Sequence, residues 1–145
     1  MKKNSAWFTV LLLGLASFVL AGEGWPTDFE KAKEEAAARN LPILADFSGS
    51  DWCGWCVRLD DEVFSQPEFK AYAKENVVLF LADFPNSTPQ SEELKTQNEK
   101  LSREYGIRGF PTVLLLDADG NVIERTGYQR GGAAAYVEHI KELLK

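Results

Sequence analysis

Two short apolar segments with a helical pattern between them constrain the fold of this chain more than any other feature. They read LPILADF at residues 41–47 and VVLFLADF at residues 77–84. Nearly continuous apolar runs of this length are typical of strands that are buried on both faces. Strands separated by a helix favour parallel pairing within one sheet. We therefore expect a central sheet with helices on both of its faces.

Helical periodicity marks four segments of the sequence. Three of them lie at residues 27–39, 92–105 and 133–145. A capping box of Thr27 and Glu30 indicates the start of the first segment. The fourth lies between the two apolar runs, where Pro67 lacks a backbone donor. This proline predicts a kink, or two separate segments, before the helix ends near Asn76.

A turn cluster near the end of the chain indicates an antiparallel hairpin. Asp119, Gly120 and Asn121 tolerate the positive φ angles of tight turns and divide TVLLLDADGNVIERTG into two strands. This hairpin is expected to add antiparallel strands at the edge of the sheet. The predicted fold class is thus α/β with a mixed central sheet. One domain is expected, because 145 residues with 45% hydrophobic content suffice for a single core.

The first residues have the pattern of a secretory signal peptide. Lys2 and Lys3 precede an uncharged apolar run, and Ala21 offers a cleavage site. We assign residues 1–21 to the signal and residues 22–145 to the domain, which export would place in the periplasm or elsewhere outside the cytoplasm. An uncleaved membrane anchor is the alternative, since about 18 apolar residues can span a bilayer.

The charge of the domain argues against nucleic acid as a partner. Without Lys2 and Lys3, 14 basic residues stand against 22 acidic residues, which gives a net charge of −8. Binding to a phosphate backbone requires a basic surface. No nucleic-acid partner is therefore expected.

The two cysteines of the chain, Cys53 and Cys56, stand three residues apart. A bridge that closes so small a loop removes little entropy from the unfolded chain, so stapling explains the pair poorly. A zinc site needs about four ligands, and one distant histidine, His139, leaves the set incomplete. We therefore predict no metal site, and redox chemistry is the remaining explanation for the cysteine pair.

A helix that begins near Cys53 gives the two sulfurs different roles. The positive end of its dipole and its unpaired N–H groups favour a thiolate, which is the form that attacks disulfides. Cys53 is therefore predicted to be the nucleophile and the more exposed cysteine. Cys56 follows on the same helical face, about 5–6 Å away, and is predicted to resolve the mixed disulfide by attacking Cys53.

Three segments resemble the hallmarks of the thioredoxin superfamily: ADF before the cysteines, WCGWC itself, and YGIRGFPT before the hairpin. The likeness covers nearly all of the predicted domain and is greatest to small exported bacterial thioredoxin-like proteins that exchange thiols and disulfides. It implies a thioredoxin-like fold in which Pro111 is a cis proline facing the cysteines. It also implies that Phe110 offers its backbone to an extended substrate. A trans proline at the start of a strand is the alternative.

The same resemblance gives Asp46 the role of the buried acid that helps to deprotonate Cys56. Burial would raise the pKa of Asp46 and make the carboxylate a usable proton acceptor. The loop between Asp46 and Cys53 is one residue longer than in thioredoxin, and this extra residue could re-aim the carboxylate. An ordinary aspartate at the end of a strand is the alternative.

Large aromatic side chains flank the cysteines. Trp52, Trp55 and Phe110 are predicted to form an apolar rim that binds unfolded or peptide-like substrate. Packing of Trp52 against the active-site loop alone is the alternative. Trp55 cannot carry the positive charge with which a histidine would stabilise a thiolate, which argues against a strong oxidant. Residues 60–62 are interpreted as a solvated acidic helix face and His139 as an exposed side chain.

Together these features predict a thiol-disulfide oxidoreductase, of the reductase or isomerase type, that acts on exported proteins through Cys53 and Cys56. The redox-active disulfide between them replaces a separate cofactor. Thiols and disulfides of exported proteins are the expected partners, with a membrane thiol reductase as a further one, and the chain is expected to be monomeric. Two alternatives stay open: an electron-relay module for one dedicated partner, and a non-catalytic binding or chaperone module.

Overall fold

The computed structural model describes residues 24–145, and within them the predicted order of helices and strands is confirmed. The helices are α1 (Phe29–Arg39), α2 (Gly54–Leu59), α3 (Pro67–Asn76), α4 (Glu92–Glu104) and α5 (Gly132–Leu143). The strands are β1 (Ile43–Ser48), β2 (Val78–Asp83), β3 (Thr112–Leu116) and β4 (Val122–Thr126). A π-helical turn, Asp60–Phe64, precedes α3 at the predicted interruption.

The predicted signal peptide, residues 1–21, lies outside the described residues. Between residues 24 and 145, no helix combines the length and the apolar character that crossing a membrane requires.

The prediction of Thr27 as the cap of α1 is wrong. The N-cap is Asp28, whose Oδ1 accepts a hydrogen bond from the Lys31 N–H at 3.1 Å. The backbone carbonyl of Thr27 instead accepts from Gln97 Nε2 of α4 at 2.8 Å. Aspartate and threonine both cap helices well, so the local sequence does not decide between Asp28 and Thr27. In the structure Asp28 caps α1, and Thr27 contacts α4 instead.

The sheet has the strand order β2-β1-β3-β4. The β1–β2 pair is parallel, and the β1–β3 and β3–β4 pairs are antiparallel. The mixed sheet is therefore confirmed, but the expectation that both hairpin strands lie at the edge is wrong. β3 is central because it pairs with both β1 and β4. Its residues are almost fully buried in this position, whereas β4 is exposed over four of its five residues.

Helices cover the two faces of the sheet and separate the core into two clusters. On one face, Leu44 of β1 packs with residues of the π-helical turn, α3 and α5. On the other face, Ile43, Ala45 and Phe47 pack with α1 and with Leu101 of α4. Side chains alternate along a strand, so Asp46 projects to the same face as Leu44. This alternation directs Asp46 toward the helices that follow the cysteines.

Candidate active site

Cys53 and Cys56 form a disulfide at the start of α2, with their Cα atoms 5.2 Å apart. Cys53 is the N-cap of this helix, as predicted, and its Sγ accepts a hydrogen bond from the Cys56 N–H at 3.2 Å. The Gly49 N–H points at the Sγ atom of Cys56 at 3.5 Å. The exposed fractions are 7% for Cys53 and 5% for Cys56, so the predicted difference in exposure is small in the oxidised protein.

Pro111 lies at the cysteine end of the sheet. The β1–β3 register pairs Phe47 with Thr112, which places Pro111 beside the point where the chain leaves β1 toward the cysteines. The Phe110–Pro111 peptide bond is cis, as the resemblance to thioredoxins implied.

The aromatic side chains near the disulfide form two separate groups. The Trp52 ring meets Phe110 edge-on at a centroid distance of 5.7 Å, and Phe110 lies 5.1 Å from Phe84. The Trp55 ring packs instead against Tyr128 at 5.0 Å. Trp52 and Trp55 are 48% and 50% exposed. The structure thus brings Trp52 and Phe110 together, as predicted, but pairs Trp55 with a residue that the sequence interpretation missed.

Trp52 packs against the active-site loop, and its role in a substrate-binding rim stays a prediction. Its ring lies against Gly49, and its Nε1 donates a hydrogen bond to the Phe84 carbonyl at 2.7 Å. Trp52 therefore packs the active-site loop while leaving nearly half of its surface to solvent.

Asp46 is buried in a cavity of about 310 Å³ that it shares with Cys56. Among the side chains that complete the lining are those of Trp25, Asp60 and Phe64. Burial, and then the charges of Asp60 and Asp83, raise the pKa of Asp46 to about 7. Its Oδ1 is buried without a hydrogen-bond partner among the described residues. The extra loop residue therefore does not separate the carboxylate from the cysteine cavity; the proton-transfer role of Asp46 stays a prediction.

A model of the thioredoxin-like domain matches residues 29–141. The chain belongs to this family. The disulfide bond reductase DsbH of Chlamydia pneumoniae is 37% identical to this thioredoxin-like domain over 117 residues, which are 81% of this chain and 70% of DsbH. A structure described as DsbH oxidoreductase is 36% identical, has a TM-score of 0.79 and covers 83% of both chains.

More distant relatives share the same fold. The thiol:disulfide interchange protein DsbD of Photorhabdus laumondii is 31% identical over 106 residues, which are 71% of this chain but 16% of DsbD. A thioredoxin from Thermus thermophilus has a TM-score of 0.60 at 18% identity and covers 83% of this chain and 85% of its own. Together with the Cys53–Cys56 disulfide, this homology confirms the predicted class of thiol-disulfide oxidoreductase.

Of the three acids at residues 60–62 in this thioredoxin-like domain, Asp60 and Asp61 are exposed, as the sequence interpretation expected, and Glu62 is half-buried. Asp60 lines the cavity of Asp46 and Cys56. Glu62 accepts hydrogen bonds from Arg58 Nε and from the Tyr128 hydroxyl, each at 2.5 Å. The π-helical turn changes which side chains of residues 60–64 point toward the protein, and a regular α-helical periodicity does not predict this change. The four-residue spacing between Cys56 and Asp60 in the sequence indicates that the two side chains lie on the same helical face, and this signal could have placed Asp60 at the cavity.

His139 is also not the exposed side chain that the sequence suggested. Its Nε2 lies 2.8 Å from Thr126 Oγ1 at the end of β4, and its ring packs edge-on against Tyr136. The imidazole is half-buried between α5 and the sheet. In residues 24–145, no group of three or more His, Cys, Asp or Glu side chains is placed to hold a metal ion.

Proposed function

We propose that this protein is a disulfide reductase that acts on exported proteins outside the cytoplasm. The observation that carries the proposal is the Cys53–Cys56 disulfide at the N-terminus of α2, next to exposed aromatic side chains on a thioredoxin-like fold. Similarity to a protein described as a disulfide bond reductase supports the direction of electron flow. The basic and apolar pattern of residues 1–21 supports export.

The reaction begins with the reduced protein. The Cys53 thiolate attacks one sulfur of a substrate disulfide; the Cys53–substrate bond forms, the substrate S–S bond breaks, and the released substrate thiolate takes up a proton. Cys56 then loses its proton to Asp46 and attacks Cys53 Sγ. The Cys53–Cys56 bond forms, the bond to the substrate breaks, and the second substrate sulfur leaves as a thiolate that takes up a proton. Two electrons thus pass from the protein dithiol to the substrate.

Two local features favour the required chemistry. The Cys56 N–H, which donates to Cys53 Sγ in the oxidised protein, would also stabilise a thiolate at Cys53. The buried Asp46 carboxyl, with its pKa raised to about 7, can accept a proton near neutral pH. A membrane thiol reductase is the proposed source of electrons for the next cycle, and the protein acts as a monomer.

A Cys56→Ser variant expressed in the native host tests this function. Without the resolving sulfur, mixed disulfides at Cys53 should accumulate, and mass spectrometry identifies the trapped proteins. Cys53→Ser is the matched control and should trap far less. Many trapped exported proteins support a general reductase, whereas a single one supports an electron relay. Equal recovery from both variants would indicate a binding module.

The reduction potential measured against glutathione tests the direction of electron flow. A value near that of thioredoxin, about −270 mV, is expected for a reductase. A value near about −120 mV would contradict the proposal, because the protein would then be a strong oxidant.

A further inference from the structure

The carboxylate of Asp51, two residues before Cys53, is held by a separate loop. One of its oxygens, Oδ1, accepts from the Asn86 N–H at 2.8 Å. The other, Oδ2, accepts from the N–H groups of Ser87 and Thr88 at 2.7 and 2.8 Å, and from the Thr88 hydroxyl at 3.2 Å. Residues 86–88 belong to the connection between β2 and α4, so Asp51 joins two segments that lie 35 or more residues apart in the sequence.

Further hydrogen bonds join the same two segments. The Ser50 N–H and hydroxyl donate to the carboxylate of Asp83, at 2.9 and 2.5 Å. The Phe84 N–H donates to the Ser48 carbonyl at 2.8 Å, and the Phe84 carbonyl accepts from Trp52 Nε1 at 2.7 Å. The end of β1 and the loop before Cys53 are therefore bound at several points to the end of β2 and the connection that follows it.

The two segments also line a surface cavity next to Trp52, the residue that precedes Cys53 in the sequence. Trp52 and Phe84 contribute apolar walls to a space of about 330 Å³, Asn86 and Gln90 add polar groups, and Lys95 and Glu99 of α4 add charged ones. The cavity continues the aromatic group of Trp52, Phe110 and Phe84 described above. A polypeptide whose disulfide reacts at Cys53 is long enough to contact this cavity as well. A small aromatic disulfide can react at Cys53 without contacting the cavity.

The loop that binds Asp51 stabilises the negative charge of its carboxylate. The three backbone N–H groups of residues 86–88 lower the pKa of Asp51 to about 2, so the carboxylate is ionised throughout the neutral range. Hydrogen bonds to an ionised group are stronger than those between neutral groups. The connection between the two loops is therefore present at every pH at which the enzyme is expected to act.

We propose that Asp51 is a positioning residue for polypeptide substrates, because it fixes the Trp52 and Phe84 walls of this cavity in place before the substrate arrives. Preformed contacts reduce the entropy lost on binding. Asp51 touches neither sulfur, so its effect falls on binding of the protein substrate. The proposal rests on the proposed function of disulfide reduction.

The test compares Asp51→Asn with Asp119→Asn, an exposed acid in the β3–β4 turn whose replacement changes the net charge equally. Reduced protein is assayed with insulin and with the small disulfide dithiobisnitrobenzoate. Asp51→Asn should raise KM for insulin about tenfold, because displaced positioning groups cost up to about 10²-fold. Its rate with the small disulfide and its reduction potential should stay unchanged. Hydrogen exchange at the amides of residues 86–88 should become faster.

Thr88→Val keeps the Thr88 N–H bond to Asp51 Oδ2 but removes the hydroxyl bond, and it should raise KM for insulin by a smaller factor. This variant decides the question if Asp51→Asn does not fold. An unchanged KM for insulin in a folded Asp51→Asn protein would overturn the proposal, as would equal losses with both substrates. If the wild-type protein reduces neither disulfide, the proposed function fails instead.

Discussion

Replacement of Asp46 by asparagine should remove a pH-dependent loss of stability from the oxidised protein. The pKa of Asp46 is raised from 3.8 to about 7 by burial and by the charges of Asp60 and Asp83. The folded protein therefore binds this proton more tightly than the unfolded chain. At about 1.4 kcal/mol per pKa unit, this difference corresponds to roughly 4 kcal/mol.

The sign of the pH dependence follows from the raised pKa. Below pH 3.8, Asp46 is protonated in both states and its burial carries no charge penalty. As the pH rises toward 7, the unfolded chain releases the proton while the folded chain keeps it, so the free energy of unfolding decreases. Above pH 7 the folded protein holds a buried carboxylate, and the full penalty of roughly 4 kcal/mol applies.

Urea unfolding of the oxidised protein between pH 4 and pH 8.5 measures this effect. The free energy of unfolding of Asp46→Asn, minus that of the wild type, should increase by roughly 4 kcal/mol across the range, because asparagine does not titrate. Taking the difference removes the titration of other groups. Asp60→Asn should retain the decrease but complete it at a lower pH, since one of the charges that raise the pKa of Asp46 is gone.

A difference between Asp46→Asn and the wild type that stays constant with pH would refute this reasoning. It would mean that the carboxyl of Asp46 has the same proton affinity in the folded and unfolded chains. The oxidised form is used because the cysteines would otherwise titrate together with Asp46.

Two further substitutions test the packing that supports the site. A Cβ at Gly49 would lie 2.6 Å from Trp52 Cζ2, so Gly49→Ala should displace the indole and shift its fluorescence to longer wavelength. It should also lower the free energy of unfolding by about 1–3 kcal/mol. Gly24→Ala, whose new Cβ meets no atom within 4 Å, is the control, and identical fluorescence spectra of Gly49→Ala and the wild type would contradict the prediction. Asn98 is 2% exposed and donates to the Asp83 carbonyl at 3.0 Å, so Asn98→Ala should lower the free energy of unfolding by about 1–3 kcal/mol, and an unchanged urea midpoint would count against this role.

The sequence by itself determined the elements and the position of the cysteines. The two apolar runs, the helical spacings and the turn at Asp119–Asn121 identified nearly all helices and strands, because each signal depends on residues that are close in the chain. For the same reason, the place of Cys53 at the start of a helix was predictable. The resemblance to thioredoxins added the cis bond before Pro111, which no local pattern indicates.

The tertiary structure alone decided which of these elements meet. β3 lies in the centre of the sheet because it pairs with β1, a choice that its own sequence does not specify. Asp51 contacts residues 86–88, and Glu62 contacts Tyr128 across 66 positions. Such contacts depend on strand register and on the π-helical turn, so the local periodicity of the sequence does not predict them. The sequence therefore located the reacting sulfurs, and the fold assembled the surroundings that control their chemistry.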